Sequence, residues 1–171
     1  MSHPLVEQLH FARSEFRRCL AGVSEEDARK RILPFNSLSW IVGHLANQEQ
    51  HYWLRLAQGR SMVAGLNELV GSGRPASTPP LHEMWIAWEI ITGDADTFLE
   101  TLTPQGMLVQ FQREGQPAPE DVGTLLLRNI YHYWFHTGEA HAIRQALGHS
   151  SLPQFVGNMA QARYRPEDSS G

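Results

Sequence analysis

From Val122 to Leu147 the chain keeps an unbroken helical period. Leu125, Leu126, Ile130, Tyr133/Trp134, Thr137 and Ala140 recur at spacings of three and four, and Gly148 sits where a helix-ending glycine belongs. A long helix of this kind has an apolar stripe to cover, and three other stretches share its period. Pro4 to Leu20 starts with a proline suited to a first turn, places Leu5, Leu9, Ala12, Phe16 and Leu20 on one face, and stops at Gly22. Leu38 to Gln58 carries Leu38, Ile41/Val42, Leu45, Tyr52 and Leu56, with Asn36 or Ser37 to cap it and Gly59 to end it. Pro80 to Leu102, with Thr78 as its expected cap, carries Leu81, Trp85, Trp88, Ile91 and Phe98/Leu102 around a central Gly93. Four such segments predict an all-α fold, a four-helix bundle with long connections.

The connections hold their own signals. Ser24 with Asp27, behind Glu25 and Glu26, predicts a short helical turn that Pro34 closes off. The 59–80 connection is rich in glycine and proline and long for a compact domain. It has room for a short helix at Leu66–Val70 and lets the next helix start at the far end, making parallel neighbours. Leu108 to Gln112 followed by Glu114-Gly115-Gln116 predicts a small hairpin. We read residues 1–171 as one domain, with a core over about 4–157 and a mobile tail over 158–171.

Composition excludes several function classes. With 14 Lys+Arg against 18 Asp+Glu, the net charge of -4 gives no electrostatic footprint for nucleic acid. The apolar runs break well short of the roughly 20 residues a membrane span needs. Glu7 falls where a secretory signal needs an apolar run. The single cysteine, Cys19, excludes an internal disulfide and fits a reducing compartment. The expectation is a cytoplasmic protein whose partner is a small molecule.

The unusual feature is histidine, with nine in the chain. His3, His82 and His149 fall near helix ends or in loops. His10 and His141 sit on helices, but His141 is about 180° around the helix from His132. His132 and His136 stand four apart on the best-defined helix, the spacing at which two imidazoles of one helix ligate one ion. Their aromatic neighbourhood makes unpaired burial costly; the alternative is two core histidines satisfied by hydrogen bonds. His44, in Trp40-Ile41-Val42-Gly43-His44-Leu45, is the first choice for a third ligand, and Gly43 beside it permits close helix approach. His51 shares that face about 10 Å along the axis and is the competitor, otherwise a pocket residue. Gln48 shares the His44 face and can hydrogen-bond a ligand. Glu139, three residues beyond His136, can hold its imidazole N–H. Three imidazoles leave an open position, and the donor set suits zinc, nickel, iron and copper alike.

With these residues together, the sequence resembles the DinB/YfiT-like family of small metal-binding proteins. The resemblance rests on Trp40-Ile41-Val42-Gly43-His44-Leu45 and on Tyr131-His132-Tyr133-Trp134-Phe135-His136-Thr137-Gly138-Glu139. Arg144, Leu147-Gly148-His149 and Leu152-Pro153-Gln154-Phe155-Val156-Gly157 extend it. It covers residues 4 to 157. The resemblance implies an up-down-down-up four-helix bundle, a divalent-metal site at His44, His132 and His136, and a homodimer. Some relatives are thiol-dependent: a mycothiol-dependent maleylpyruvate isomerase and bacillithiol S-transferases. Another is the first domain of iron-dependent ergothioneine-forming sulfoxide synthases, whose second domain this chain is too short to hold.

Two functions follow. The first is a metal-dependent transferase or hydrolase, with zinc or nickel ahead of iron. A low-molecular-weight thiol is its cosubstrate, and Trp40, Tyr131 and Trp134 hold the electrophile. Arg144 is there a candidate for a carboxylate of the thiol. The alternative is a non-catalytic, stress-related metal-binding protein stabilised by its ion.

Overall fold

In the computed structural model, which describes residues 2–113, 115–154 and 156–164, the periodic stretches are helices. In chain order these are α1 (Pro4–Cys19), α2 (Glu25–Arg29), α3 (Leu38–Glu49), α4 (Leu66–Val70), α5 (Leu81–Leu99) and α6 (Val122–Ala146). The hairpin pairs β1 (Gln110–Arg113) antiparallel with β2 (Gln116–Asp121). Gly115 turns it at φ 79°, a backbone that glycine adopts without strain; Glu114 lies outside the described residues.

Helix starts follow local capping chemistry. Ser24 accepts from the Asp27 N–H, Ser37 from Trp40 and Asp121 from Thr124. His3 caps α1 by accepting from the Leu5 N–H. Thr78 does not cap α5, contrary to expectation. The N-cap residue is Pro80, whose side chain has no oxygen to offer, and Glu25 of α2 takes over. Its carboxylate accepts from the Leu81 and His82 N–H groups at 2.7 and 3.2 Å, a favoured place for negative charge.

The expected helix over Leu38–Gln58 is not uniform. After Glu49 it widens into a π-helical segment, Gln50–Leu56. Gln50, buried, reaches out of that turn: its Oε1 accepts from the Met62 and Val63 N–H groups and its Nε2 donates to the Val63 carbonyl. The following loop is thereby tied to the widened turn. Segments of this kind recur at functional sites.

Residue pairs give the helix directions. Phe11 meets Trp134, Phe16 meets Tyr133, and Cys19 meets Thr137, so α1 runs along α6. His10 meets Asp96 and Arg17 meets Glu89, so α5 opposes α1. Glu49 meets Tyr133 and Trp53 meets Asn129, so the chain running from α3 opposes α6. A buried polar cluster links all four. The Arg13 guanidinium on α1 forks onto the Glu49 carboxylate on α3. Tyr133 on α6 donates to the same carboxylate at 2.5 Å and accepts from the Trp88 indole of α5 at 2.7 Å. Arg13 also reaches Asp96 on α5. The Arg13 and Glu49 side chains are 5% and 0% exposed, so neither has water as an alternative partner.

Residues 158–164, the start of the expected tail, carry a short turn at Met159–Gln161 and a buried Ala162, whose carbonyl accepts from Gln8 at 3.0 Å. Residues 165–171 lie outside the described residues. No helix among the described residues is long and apolar enough to cross a membrane.

Two predictions come from this packing. A Cβ at Gly43 would lie 2.4 Å from Met84 Sδ and 3.1 Å from a Val70 methyl, whereas one at exposed Gly93 would meet nothing within 4 Å. Gly43→Val therefore destabilises by about 1–3 kcal/mol through overpacking, while Gly93→Ala stabilises by up to about 1 kcal/mol; urea unfolding of both checks the opposite signs. Glu49→Leu leaves the Arg13 charge buried without its main partner and costs about 3–5 kcal/mol in the same assay.

Candidate metal centre

Near the middle of the helices, α3 and α6 bring three histidines to one point. α3 contributes His44, directly after the glycine that lets α3 sit close to Val70 and Met84. α6 contributes His132 and His136, one turn apart. His136 Nε2 lies 2.9 Å from His132 Nε2, which lies 3.3 Å from His44 Nε2. His136 is buried and the other two are half-buried. A tetrahedral ion with metal–nitrogen bonds of about 2.0–2.1 Å holds its ligand atoms about 3.3 Å apart. The cluster has that scale, and these three side chains could hold a metal ion.

The other ring nitrogens explain why the Nε2 atoms face inward. His44 Nδ1 donates to the Val70 carbonyl at 2.9 Å. His136 Nδ1 donates to the Glu139 carboxylate at 2.6 Å. His132 Nδ1 donates to the Gln48 side-chain oxygen at 2.5 Å. With the proton on Nδ1, a neutral imidazole keeps a bare lone pair on Nε2. Three such lone pairs converging in a partly buried site repel one another, and a cation at their centre satisfies all of them.

The electrostatics agree. Burial pushes His44 down to about 4, outweighing the Val70 hydrogen bond that acts the other way. Burial, then His136 and His44, push His132 down to about 3. Both are neutral at pH 7, the state in which imidazole ligates.

Two open cavities meet at the cluster. One of about 610 Å³ is lined by Gln48, Tyr52, Arg128, Tyr131, His132 and Phe135, among others. The other, about 390 Å³, is lined by neutral polar groups, including Asn47, His51, Asn67 and Ser72, together with His44 and His132. Tyr131 is 63% exposed and gives the first cavity an aromatic wall. Trp40 stacks on the face of the His44 ring, with ring centres 4.4 Å apart.

Most of the expected site residues therefore gather here: His44, His132, His136, Gln48, Glu139, His51, Trp40 and Tyr131. Two do not. Arg144 is buried among α1 and the end of α6, where its guanidinium donates to the Cys19 carbonyl and to His149. Trp134 turns to α1 and packs on Phe11, 5.9 Å between ring centres. The reason is angular: residues two and eight beyond His132 and His136 lie on other faces of α6. Sequence reasoning missed the Val70 carbonyl, which no side-chain pattern announces, and Asn129, which stands one helical turn before His132. His3, His10, His82 and His149 have partners of their own away from the cluster: the α1 terminus, Asp96, Glu25 and Asp27.

The lowered values fix a pH dependence. In the unfolded chain the two imidazoles take protons below about 6.5, while in the fold they resist until about 4 and 3. The unfolded state thus binds more protons through that window, and metal-free stability is full above pH 6.5 and falls as pH is lowered. Thermal melts of metal-free protein at pH 7.5 and 5 should show this loss. His44→Gln/His132→Gln should show a smaller pH-dependent change than the parent.

No curated protein matches the chain. The model of the DinB superfamily matches residues 8–140, which includes most of α1, the histidine of α3 and both histidines of α6. A mostly helical chain with its three inward-facing imidazoles inside that span belongs to the DinB superfamily.

Proposed function

We propose that His44, His132 and His136 hold a divalent transition metal, zinc or nickel ahead of iron, and that the open side of the site serves a transferase or hydrolase reaction on a small molecule. The observation that carries this reading is the convergence of three Nε2 lone pairs, each with its Nδ1 engaged by an acceptor. A metal bound there supplies Lewis acidity, lowering the pKa of a water or a low-molecular-weight thiol. The chain supplies the rest. Glu139 and Gln48 orient the imidazoles through their Nδ1 protons. Tyr131 and Phe135 offer an aromatic wall for an apolar electrophile, and Asn47, Asn67 and Ser72 line the neutral polar side where a cosubstrate can hydrogen-bond. We read the four long helices as an up-down-down-up bundle; the parallel pair α1–α6 and the antiparallel pairs α1–α5 and α3–α6 support that connectivity. A cytoplasmic homodimer belongs to the same reading.

The alternative is a metal-binding protein that the ion stabilises without catalysis. Cavities of about 610 and 390 Å³ touching the histidine cluster favour the catalytic reading over it. Zinc titration of metal-free protein should give one equivalent bound and a higher melting temperature, both abolished by His44→Ala. The metal-loaded protein is then offered mycothiol, bacillithiol, glutathione and coenzyme A with a generic electrophile. Thiol transfer that His44→Ala lowers at least 100-fold supports catalysis. Inertness with all four, despite bound metal, leaves the stabilising role.

A further inference from the structure

The three imidazoles do not depend on their partners in the same way. Val70 offers a carbonyl and Glu139 a carboxylate, and both can only accept, so the tautomers of His44 and His136 need nothing further. His132 faces an amide. Gln48 can present either its oxygen or its NH2 to that ring, and the second choice would make Nδ1 the acceptor and put the proton on Nε2, aimed at the other two histidines. Something has to hold the amide one way round.

A relay of hydrogen bonds does so, and it starts from a group with no choice. The Trp53 indole N–H can only donate, and it lies 2.8 Å from Asn129 Oδ1. The other end of the Asn129 amide is therefore its NH2, which donates to Gln48 Oε1 at 3.0 Å. The Gln48 atom between Asn129 and His132 is thus an oxygen, and His132 Nδ1, 2.5 Å from it, carries the proton. Reversing either amide sets two donors against each other, and moving the His132 proton to Nε2 sets two acceptors, Nδ1 and Gln48 Oε1, against each other. Trp53 and Asn129 are both 0% exposed, so no water can relieve a conflict at the link from which the relay starts. The π-helical turn supplies the indole, and α6 supplies the asparagine one turn before His132.

We propose that Trp53 and Asn129 are positioning residues for the metal centre, acting through Gln48 to fix His132 as the Nδ1–H tautomer with its Nε2 bare for the ion. This rests on the reading of the three histidines as ligands, but its first test does not.

Long-range 1H–15N NMR of the metal-free, 15N-labelled full chain at pH 7.5 reads the tautomer directly. His132 should show Nδ1–H; an Nε2–H ring in the parent protein overturns the proposal, whether or not zinc binds. Absence of zinc binding to the parent instead sinks the metal reading and leaves the tautomer result standing. Asn129→Leu releases the Gln48 amide, so Nε2–H should become populated at His132 and zinc affinity should drop about 10- to 100-fold. Gln48→Glu placed on Asn129→Leu presents an acceptor-only group and should restore both the Nδ1–H signal and most of the affinity, which repair of packing alone would not do. An unchanged tautomer and affinity in Asn129→Leu, or no rescue by Gln48→Glu, overturns the relay. Should Asn129→Leu not fold, Trp53→Phe, which keeps the Asn129 amide but removes its reference donor, is expected to shift the tautomer in the same direction. If neither variant folds, the tautomer of the parent decides the proposal.

Discussion

The buried Arg13–Glu49 pair, with Tyr133 donating into the same carboxylate, is the interaction on which the arrangement of helices depends. Its four helices meet through groups that have no water to fall back on. Burial alone would lower the Arg13 guanidinium, but the Glu49 carboxylate against it outweighs this and keeps it charged. Burial and the neighbouring Glu49 charge raise Tyr133 well above its ordinary value, so it remains a phenol with a proton to donate. A pair of this kind contributes little net energy compared with an apolar substitute, yet it is intolerant of a missing partner. It acts chiefly to make one axial register of α1, α3, α5 and α6 much better than its neighbours. A slide of one turn, about 5.4 Å, would break every bond in the cluster.

That register is what builds the candidate site. Glu49 follows Gln48 and Tyr133 follows His132, so the contact that locks α3 to α6 on the core side sets the Gln48–His132 contact beside it. His44, a turn and a bit earlier on α3, is then level with His136, a turn later on antiparallel α6. Gly43 completes the approach, because α3 can lie against Val70 and Met84 only where no side chain intervenes, and Val70 is the residue whose carbonyl turns His44. Core packing and metal-site geometry are consequences of one fit between helices.

Period and capping chemistry made the helices legible in the sequence, and the four-residue spacing of His132 and His136 made two-thirds of the cluster legible with them. His44 was legible as the deepest histidine on the facing helix. What the sequence did not disclose depends on angle or on backbone. Arg144 and Trp134 lie on the same helix as His136, but the turn of that helix points them to α1. The π-helical segment over Gln50–Leu56 leaves no mark in apolar periodicity; it is held by Gln50 bonding to a loop a dozen residues on. The cap of α5 comes from Glu25, far away in sequence, because two prolines in succession leave the local position without a side-chain oxygen.

The interior thus contains two polar clusters of opposite character, side by side along α3 and α6. In one, a cation is enclosed by Glu49 and Asp96, and every strong donor has its acceptor. In the other, acceptors face acceptors: three imidazole lone pairs with their protons drawn outward by Val70, Gln48 and Glu139. A fold that satisfies the first so fully could have satisfied the second by placing a single ring proton on Nε2, since one Nε2–H would bridge the pair 2.9 Å apart. Instead each ring is held in the tautomer that denies its neighbours a hydrogen bond. Such a cost is expected where an electron-rich cluster is kept for a cation, and the exposed cavities on its open side say from which direction a further ligand would come.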